Sequence, residues 1–231
     1  MKDPNNGDGR DTPILVCFSL IDADEENELS YGDRDATDVV NIDHLTLLTP
    51  NHPNSKDKFP WLTEIVQLLD QLFTTAYSDG TGRALQAAAA SVSKSQRTTT
   101  PTRRHQYLGT VATVADAERM GIKLILESLS DDYTIAILSD SQAAIDTVLN
   151  LAKSKPARSG IERDIKRLLS LRQDRDQDTA IAWVWAHTQI LGNAEADALA
   201  QWSSYLGQTR GSRRIITEGG VRTRAKAERK R

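Results

Sequence analysis

The sequence has little cysteine, few aromatics and no long apolar run. Its one cysteine, Cys17, allows no internal disulfide and no cysteine-rich zinc site, so stability must come from a packed core. No stretch is apolar enough for long enough to cross a bilayer, which excludes a membrane-spanning role for a helix. The first apolar run, Ile14–Phe18, is short and follows the acidic residues Asp3, Asp8 and Asp11, whereas a secretion signal opens on basic residues; none is expected. A reducing intracellular compartment, nucleus or cytoplasm, is consistent with the single thiol. Nor is there an internal repeat of solenoid or propeller length.

Net charge is also scarce, at −3 for 231 residues, but its distribution is uneven. Residues 1–46 hold twelve Asp/Glu against three Lys/Arg, and residues 210–231 hold nine Lys/Arg against Glu218 and Glu228. An acidic head and a basic tail thus flank a balanced middle. The tail suits three roles that the sequence leaves open: a solvated, disordered terminus, a contact for nucleic-acid phosphates, or a nuclear address.

The chain divides into an acidic extension over 1–71, expected to be partly disordered, a folded domain over 72–206, and the basic tail over 207–231, expected to be disordered. Within the extension, the islands Ile14–Ile21 and Leu45–Leu48 suit strands, and Trp61–Leu72 has the spacing of an amphipathic helix. In the domain, strands are expected at Phe73–Tyr77, Ala87–Val92, His105–Leu108, Ile135–Leu138 and Thr179–Trp185. Helices are expected at Thr113–Leu129, Ser141–Lys153, Ile161–Arg172 and Asn193–Tyr205. Asp79-Gly80 reads as a turn that ends the first strand. The order β-β-β-α-β-α-α-β-α is that of an α/β fold, a five-stranded mixed sheet flanked by helices.

The acidic residues of this domain fall at telling places. Asp79 and Asp140 sit at strand ends, where ligand sites form in open α/β sheets. Two carboxylates held side by side repel, and a shared Mg²⁺ relieves that repulsion because it takes hard oxygen ligands. On the helix 113–129, Glu118 is in phase with Ile122, Ile125 and Leu129 and so lies on the buried stripe. Glu127, nine residues beyond Glu118, falls about 180° round and should face solvent. Asp197 lies in the first turn of the last helix, where an acid also serves the helix dipole. Spacing alone leaves each acid a candidate ligand or a capping and turn residue.

The segments Tyr77-Ser78-Asp79-Gly80, Ala115-Asp116-Ala117-Glu118, Leu138-Ser139-Asp140-Ser141-Gln142-Ala143-Ala144 and 183–200, the last reading WVWAHTQILGNAEADALA, occur in an order that resembles the ribonuclease H type 1 family. They look most like the ribonuclease H domain of fungal non-LTR retrotransposon reverse transcriptases. The resemblance implies a ribonuclease H-like fold and an endonuclease that cuts the RNA strand of an RNA–DNA hybrid, leaving 5′-phosphate and 3′-hydroxyl ends. It implies that Asp79, Glu118, Asp140 and Asp197 hold two Mg²⁺ ions, for which Mn²⁺ can substitute, and that no small-molecule cofactor is needed. His187 matches a loop histidine that assists proton movement and product release, and Gln142 and Asn193 match positions that touch the hybrid in its minor groove. Lys153, Lys155 and Arg158 form a basic loop suited either to phosphates or to a plain solvated turn. Trp183 and Trp185 read as packing residues rather than stacking platforms.

The sequence departs from the family pattern around His187. Trp185 and Ala186 stand where the family has Pro and Gly, and Gln189 where it has Gly after the His. These changes leave the four acids in place and put the mobility of His187 in doubt. A retroelement-derived domain that binds nucleic acid or a protein without cutting is therefore the competing expectation. An exonuclease of the same superfold fits less well, because its carboxylate order and spacing differ.

Overall fold

The computed structural model describes the backbone of residues 15–18, 38–42 and 45–49, and most of residues 66–229. Within the latter range, residues 68, 72, 84–85, 96–99, 154, 185–189 and 211–216 lie outside the description, as do the side chains of 83, 208–210, 218 and 227. The expected strands and helices of the domain are present. Strands β1 (Leu15–Phe18), β2 (Asp38–Ile42) and β3 (Leu45–Thr49) precede β4 (Thr74–Arg83), β5 (Gln86–Lys94) and β6 (Thr102–Gly109). Helix α1 (Val114–Ser128), strand β7 (Thr134–Ser139), helices α2 (Gln142–Ala152) and α3 (Gly160–Gln173), strand β8 (Asp178–Trp183) and helices α4 (Leu191–Arg210) and α5 (Glu218–Glu228) follow.

Strands β4, β5 and β6 form an antiparallel meander, while β7 runs parallel to β4 and β8 parallel to β7. These five make the expected mixed sheet. Strands β1 to β3 extend it beyond β8, giving the order β2-β3-β1-β8-β7-β4-β5-β6. The apolar islands of the acidic extension therefore become the internal strands β1 and β3, and β2 forms the edge. Of the helix expected over 61–72, positions 66, 67 and 69–71 are helical, and Leu69 is fully buried.

Strand alternation sorts the core into two layers. Ile135 and Ile137 of β7 face α1, α2 and α3, together with Ile122, Ile125, Ile165 and Ile181. Their neighbours Ala136 and Leu138 face the other side, with Tyr77, Val92, Ala182 and Ala196 of α4. Strand β5 carries Ala87–Ala90, a sequence with weak strand propensity. Its place between two helices explains it. Both α1 and α4 pack on this strand, and the small side chains, all buried, let them come close.

Two local expectations need correction. Asp79-Gly80 does not end the first strand. Strand β4 continues through it to Arg83, pairing Asp79 with Ala90 and Gly82 with Ala87. The glycines serve the approach of α1 rather than a turn: a Cβ on Gly80 would lie 2.3 Å from Glu118 N, and one on Gly82 would lie 2.2 Å from Val114 Cγ2. The tail expected to be disordered is ordered where it is described. Helix α4 runs on to Arg210, and α5 forms beyond it. Thr217 caps α5, its Oγ1 accepting from Gly220 N at 3.0 Å and donating to Asp116 Oδ2 at 2.7 Å. Gly220 lies directly on the Val111 carbonyl, since a Cβ there would fall 1.0 Å from Val111 O. These partners are a hundred residues away in sequence, which is why composition alone suggested disorder.

At one end of the sheet a buried arginine ties three elements together. Arg172 Nε donates to Thr179 Oγ1 at 2.8 Å, Nη1 to the carbonyls of Leu129 and Asp132 at 3.0 and 3.1 Å, and Nη2 to that of Asp178 at 2.8 Å. It thereby joins the end of α1 to the starts of β7 and β8. Burial pushes its pKa down to about 10, yet it stays charged at neutral pH. Replacing it leaves buried carbonyls without donors, each costing about 1–3 kcal/mol. Arg172→Met is expected to lose about 3–5 kcal/mol in urea unfolding. A loss below about 1 kcal/mol would show that water replaces the guanidinium there.

Candidate active site

Register brings the first two acids together. Ser78 of β4 pairs with Ser139 of the parallel strand β7, so the next residues, Asp79 and Asp140, stand side by side where β7 ends. Asp140 sits between that strand and the N-cap of α2, Ser141, whose Oγ accepts from Ala144 N at 3.3 Å. Two neighbours hold this corner: Trp183 Nε1 donates to the Asp140 carbonyl at 3.0 Å, and Val184 N to the Ser139 carbonyl at 3.0 Å. Trp183 is a packing residue, as expected, with a polar contact the sequence did not suggest.

Glu118 comes from α1, as its helical phase requires. Ile122, Ile125 and Leu129 of the same stripe are buried, while Glu127 is exposed and paired with Lys123 at 3.2 Å. The close packing of α1 on Gly80 sets Glu118 above Asp79. Carboxylate oxygens of Asp79, Glu118 and Asp140 all lie within 4.8 Å of one another. Asp197 of α4 lines the same cleft, about 250 Å³ in volume, with Gly80, Asn193 and Ala194. Gln201, one turn along, donates to Asp197 Oδ1 at 2.8 Å. Asn193, 3% exposed, donates from Nδ2 to Asp140 Oδ2 at 3.4 Å, while its Oδ1 has no partner.

Among the described residues no lysine or arginine lines this cleft. Burial pushes the Asp79 carboxyl up to about 7, the charges of Asp140 and Asp197 add to the rise, and the Gly80 N–H at 2.6 Å opposes it. Burial likewise pushes Glu118 up to about 9, helped by Asp79 and Asp140. Glu118 Oε2 is buried with no hydrogen-bond partner. Converging hard oxygens, one of them orphaned, form a donor set that fits a divalent cation such as Mg²⁺.

The remaining candidates are spread more widely. Gln142 is exposed at the first position of α2, beside Asp140. Lys153, Lys155 and Arg158 are exposed between α2 and α3, with Lys155 Nζ on Asn150 Oδ1 at 2.8 Å; none of them lines the cleft. His187 lies outside the described residues, as does Trp185. The sequence reading missed Asp116, two residues before Glu118. It is 2% exposed and closes a capping box with Thr113. It also receives hydrogen bonds from Thr217 and from Arg119 Nη2 at 3.2 Å. The Thr113-x-x-Asp116 spacing is a capping signal that could have revealed it.

A carboxyl whose pKa is raised by folding contributes stability that is complete below its unfolded value, about 4, and lost as pH climbs to its folded value. The metal-free protein is therefore expected to lose stability from about pH 4 to about 9, through Asp79 first and Glu118 later. In chelator at pH 8, Asp79→Asn should raise stability by about 1–3 kcal/mol, because it removes the repulsion. Thermal melts with chelator or Mg²⁺ across this range test both points; an Asn variant less stable than the parent in chelator would refute the account. Gly80→Ala is expected to cost about 2 kcal/mol and to weaken stabilisation by Mg²⁺, since α1 and Glu118 must shift away from β4. Unchanged melting and unchanged Mg²⁺ response would show that the approach is not tight.

Comparison with known proteins matches the family model RNase H over residues 72–204. Comparison with curated proteins gives no match. Among solved structures, RNase H1 from Halobacterium salinarum NRC-1 is 24% identical, covering 56% of this chain and 96% of that one, with a TM-score of 0.40. LC11-RNase H1, solved in complex with an RNA/DNA hybrid, is 17% identical over 58% of this chain and 98% of that one, TM-score 0.46. The RNase H domain of prototype foamy virus is 20% identical over 58% and 94%, TM-score 0.43.

Proposed function

Because the chain belongs to the RNase H family, we propose that it is an endoribonuclease that cuts the RNA strand of RNA–DNA hybrids with the help of divalent metal. The observation that carries this reading is the convergence of Asp79, Glu118 and Asp140, with Asp197 in the same cleft. A fold does not imply an activity, but converging carboxylates on that fold support one.

Asp79, Glu118, Asp140 and Asp197 would hold two Mg²⁺ ions, or Mn²⁺ in their place. Metal so bound supplies an activated water and charge stabilisation at the leaving 3′ oxygen, giving 5′-phosphate and 3′-hydroxyl ends. The chain's own residues arrange the rest. Asn193 holds the Asp140 carboxylate and Gln201 that of Asp197, which limits their rotation. Gln142, exposed beside Asp140, and Asn193 contact the hybrid in its minor groove, where the 2′-hydroxyl distinguishes RNA from DNA. Lys153, Lys155 and Arg158 meet phosphates further along the duplex. His187 assists proton movement and product release. The likeness of the four motifs to those of fungal non-LTR elements makes a retroelement reverse transcriptase the proposed source of the domain. Its hybrids would be met in the nucleus or cytoplasm. No helix among the described residues is long and apolar enough to cross a membrane.

The test uses a labelled RNA–DNA hybrid, with Mg²⁺ or chelator, beside Asp140→Asn. Cleavage is expected on the RNA strand alone, only with Mg²⁺, and reduced at least about 100-fold in the variant. Hybrid binding without cleavage by the unmodified protein would establish the competing reading, in which the changed residues 185–189 have cost the activity.

A further inference from the structure

Helix α5 plays no part in the site just described, and its sequence makes it an unusual element to order. It is 11 residues long, a length that is marginal for an isolated helix in water. Packing of an apolar face does not explain its order: Val221, its largest aliphatic residue, is 48% exposed, and residues 221–226, 228 and 229 all face solvent. What orders it is a polar anchor at its first turn: Thr217 on Asp116 Oδ2, and Gly220 against the Val111 carbonyl. Asp116 belongs to the first turn of α1, two residues before Glu118. The anchor therefore fixes α5 beside the helix that carries a cleft carboxylate.

Three basic residues of α5 and its last turn share one side. Arg222, Lys226 and Arg229 stand at i, i+4 and i+7, within about 60° of arc and over about 10 Å of helix length. Helical hydrogen bonding reaches the last of them, through Arg229 N to the Ala225 carbonyl at 3.2 Å. Arg224 lies on the opposite side and pairs with Glu228 at 3.3 Å. A stripe of this length spans about three phosphates of one strand at 3.4 Å rise. The cleft itself is lined by four carboxylates and no described cation, so a polyanion approaching it must gain attraction from elsewhere.

We propose that α5 is a phosphate-binding arm, whose Arg222–Lys226–Arg229 stripe grips the backbone of the hybrid that enters the carboxylate cleft. This deepens the proposed ribonuclease reading and rests on it for the identity of the duplex. Thr217 and Asp116 are positioning residues in the arrangement: they touch no substrate and hold the arm against the first turn of α1.

The experiment measures binding of a fluorescent hybrid of about 20 base pairs by anisotropy in Mg²⁺, between about 50 and 200 mM salt. The full chain carries Asp140→Asn, so that cutting does not enter the readout. Adding R222Q/K226Q/R229Q is expected to weaken binding about 10-fold and to lower the slope of log K against log salt by about 2–3, at about 0.9 per phosphate lost. Arg224→Gln should leave the slope unchanged, and Thr217→Val should weaken binding several-fold with all cations retained. Melting curves confirm that the glutamine variants stay folded. An unchanged slope in the triple variant overturns the proposal even if the native chain cuts hybrids. A reduced slope in a chain that cuts nothing upholds the arm and removes the nuclease reading, and absence of any hybrid binding overturns both.

Discussion

Three carboxylates with oxygens inside 4.8 Å of one another repel, and the architecture exists to hold them together despite that. Burial removes the water that would screen them, which is why Asp79 and Glu118 resist ionisation so strongly. Such a cluster is stable only when protons or a cation occupy it. The same repulsion favours a divalent cation, whose charge would offset that of the carboxylates. Asn193 and Gln201 add little charge but keep two of the acids aimed inward.

The rest of the molecule keeps these groups from moving apart. Each of the four acids comes from a different element: β4, the end of β7, α1 and α4. The parallel pairing of β4 with β7 fixes one pair, and the glycine contact at Gly80 fixes the height of α1 above it. Arg172 secures α1, β7 and β8 through the carbonyls of Leu129, Asp132 and Asp178, so the helix is held near its C-terminus as well as beside the cleft. Helix α1 also shows how environment sets charge. Asp116 and Glu118 are two residues apart and both buried. Burial pushes Asp116 upward as well, but hydrogen bonds from Thr217, Thr113 and Arg119 outweigh it and hold its pKa below the usual value. Glu118 has no such donors beyond Gly80 and is pushed the other way. One acid is a settled structural anion, and the other is left in need of a ligand.

Much of this was legible from local spacing. The 3.6-residue period placed Glu118 on the buried stripe and Glu127 in solvent, and the structure agrees on both. Strand-end logic pointed to Asp79 and Asp140, although Asp79 lies within a strand that continues past it. Asp197 was ambiguous alone, because the expected helix start put it in a first turn, where an acid serves the dipole; the helix in fact begins at Leu191, which leaves Asp197 in the second turn. Its position in the cleft with Asp79 distinguishes it from an ordinary capping acid.

Periodicity, turn chemistry and motif order determined the kinds of element, their sequence and the faces of α1, because each depends on residues a few positions apart. Register and long-range contact decided the remainder. The pairing of Ser78 with Ser139, the approach of α1 to Gly80, the addition of β1 to β3 beyond β8 and the docking of Thr217 on Asp116 all join distant residues. Asp79-Gly80 illustrates the difference. Its local chemistry is that of a turn, but the backbone hydrogen bonds of β5 and the surface of α1 hold it extended. The four carboxylates that the motifs picked out became one cleft only because tertiary packing overrode that local preference.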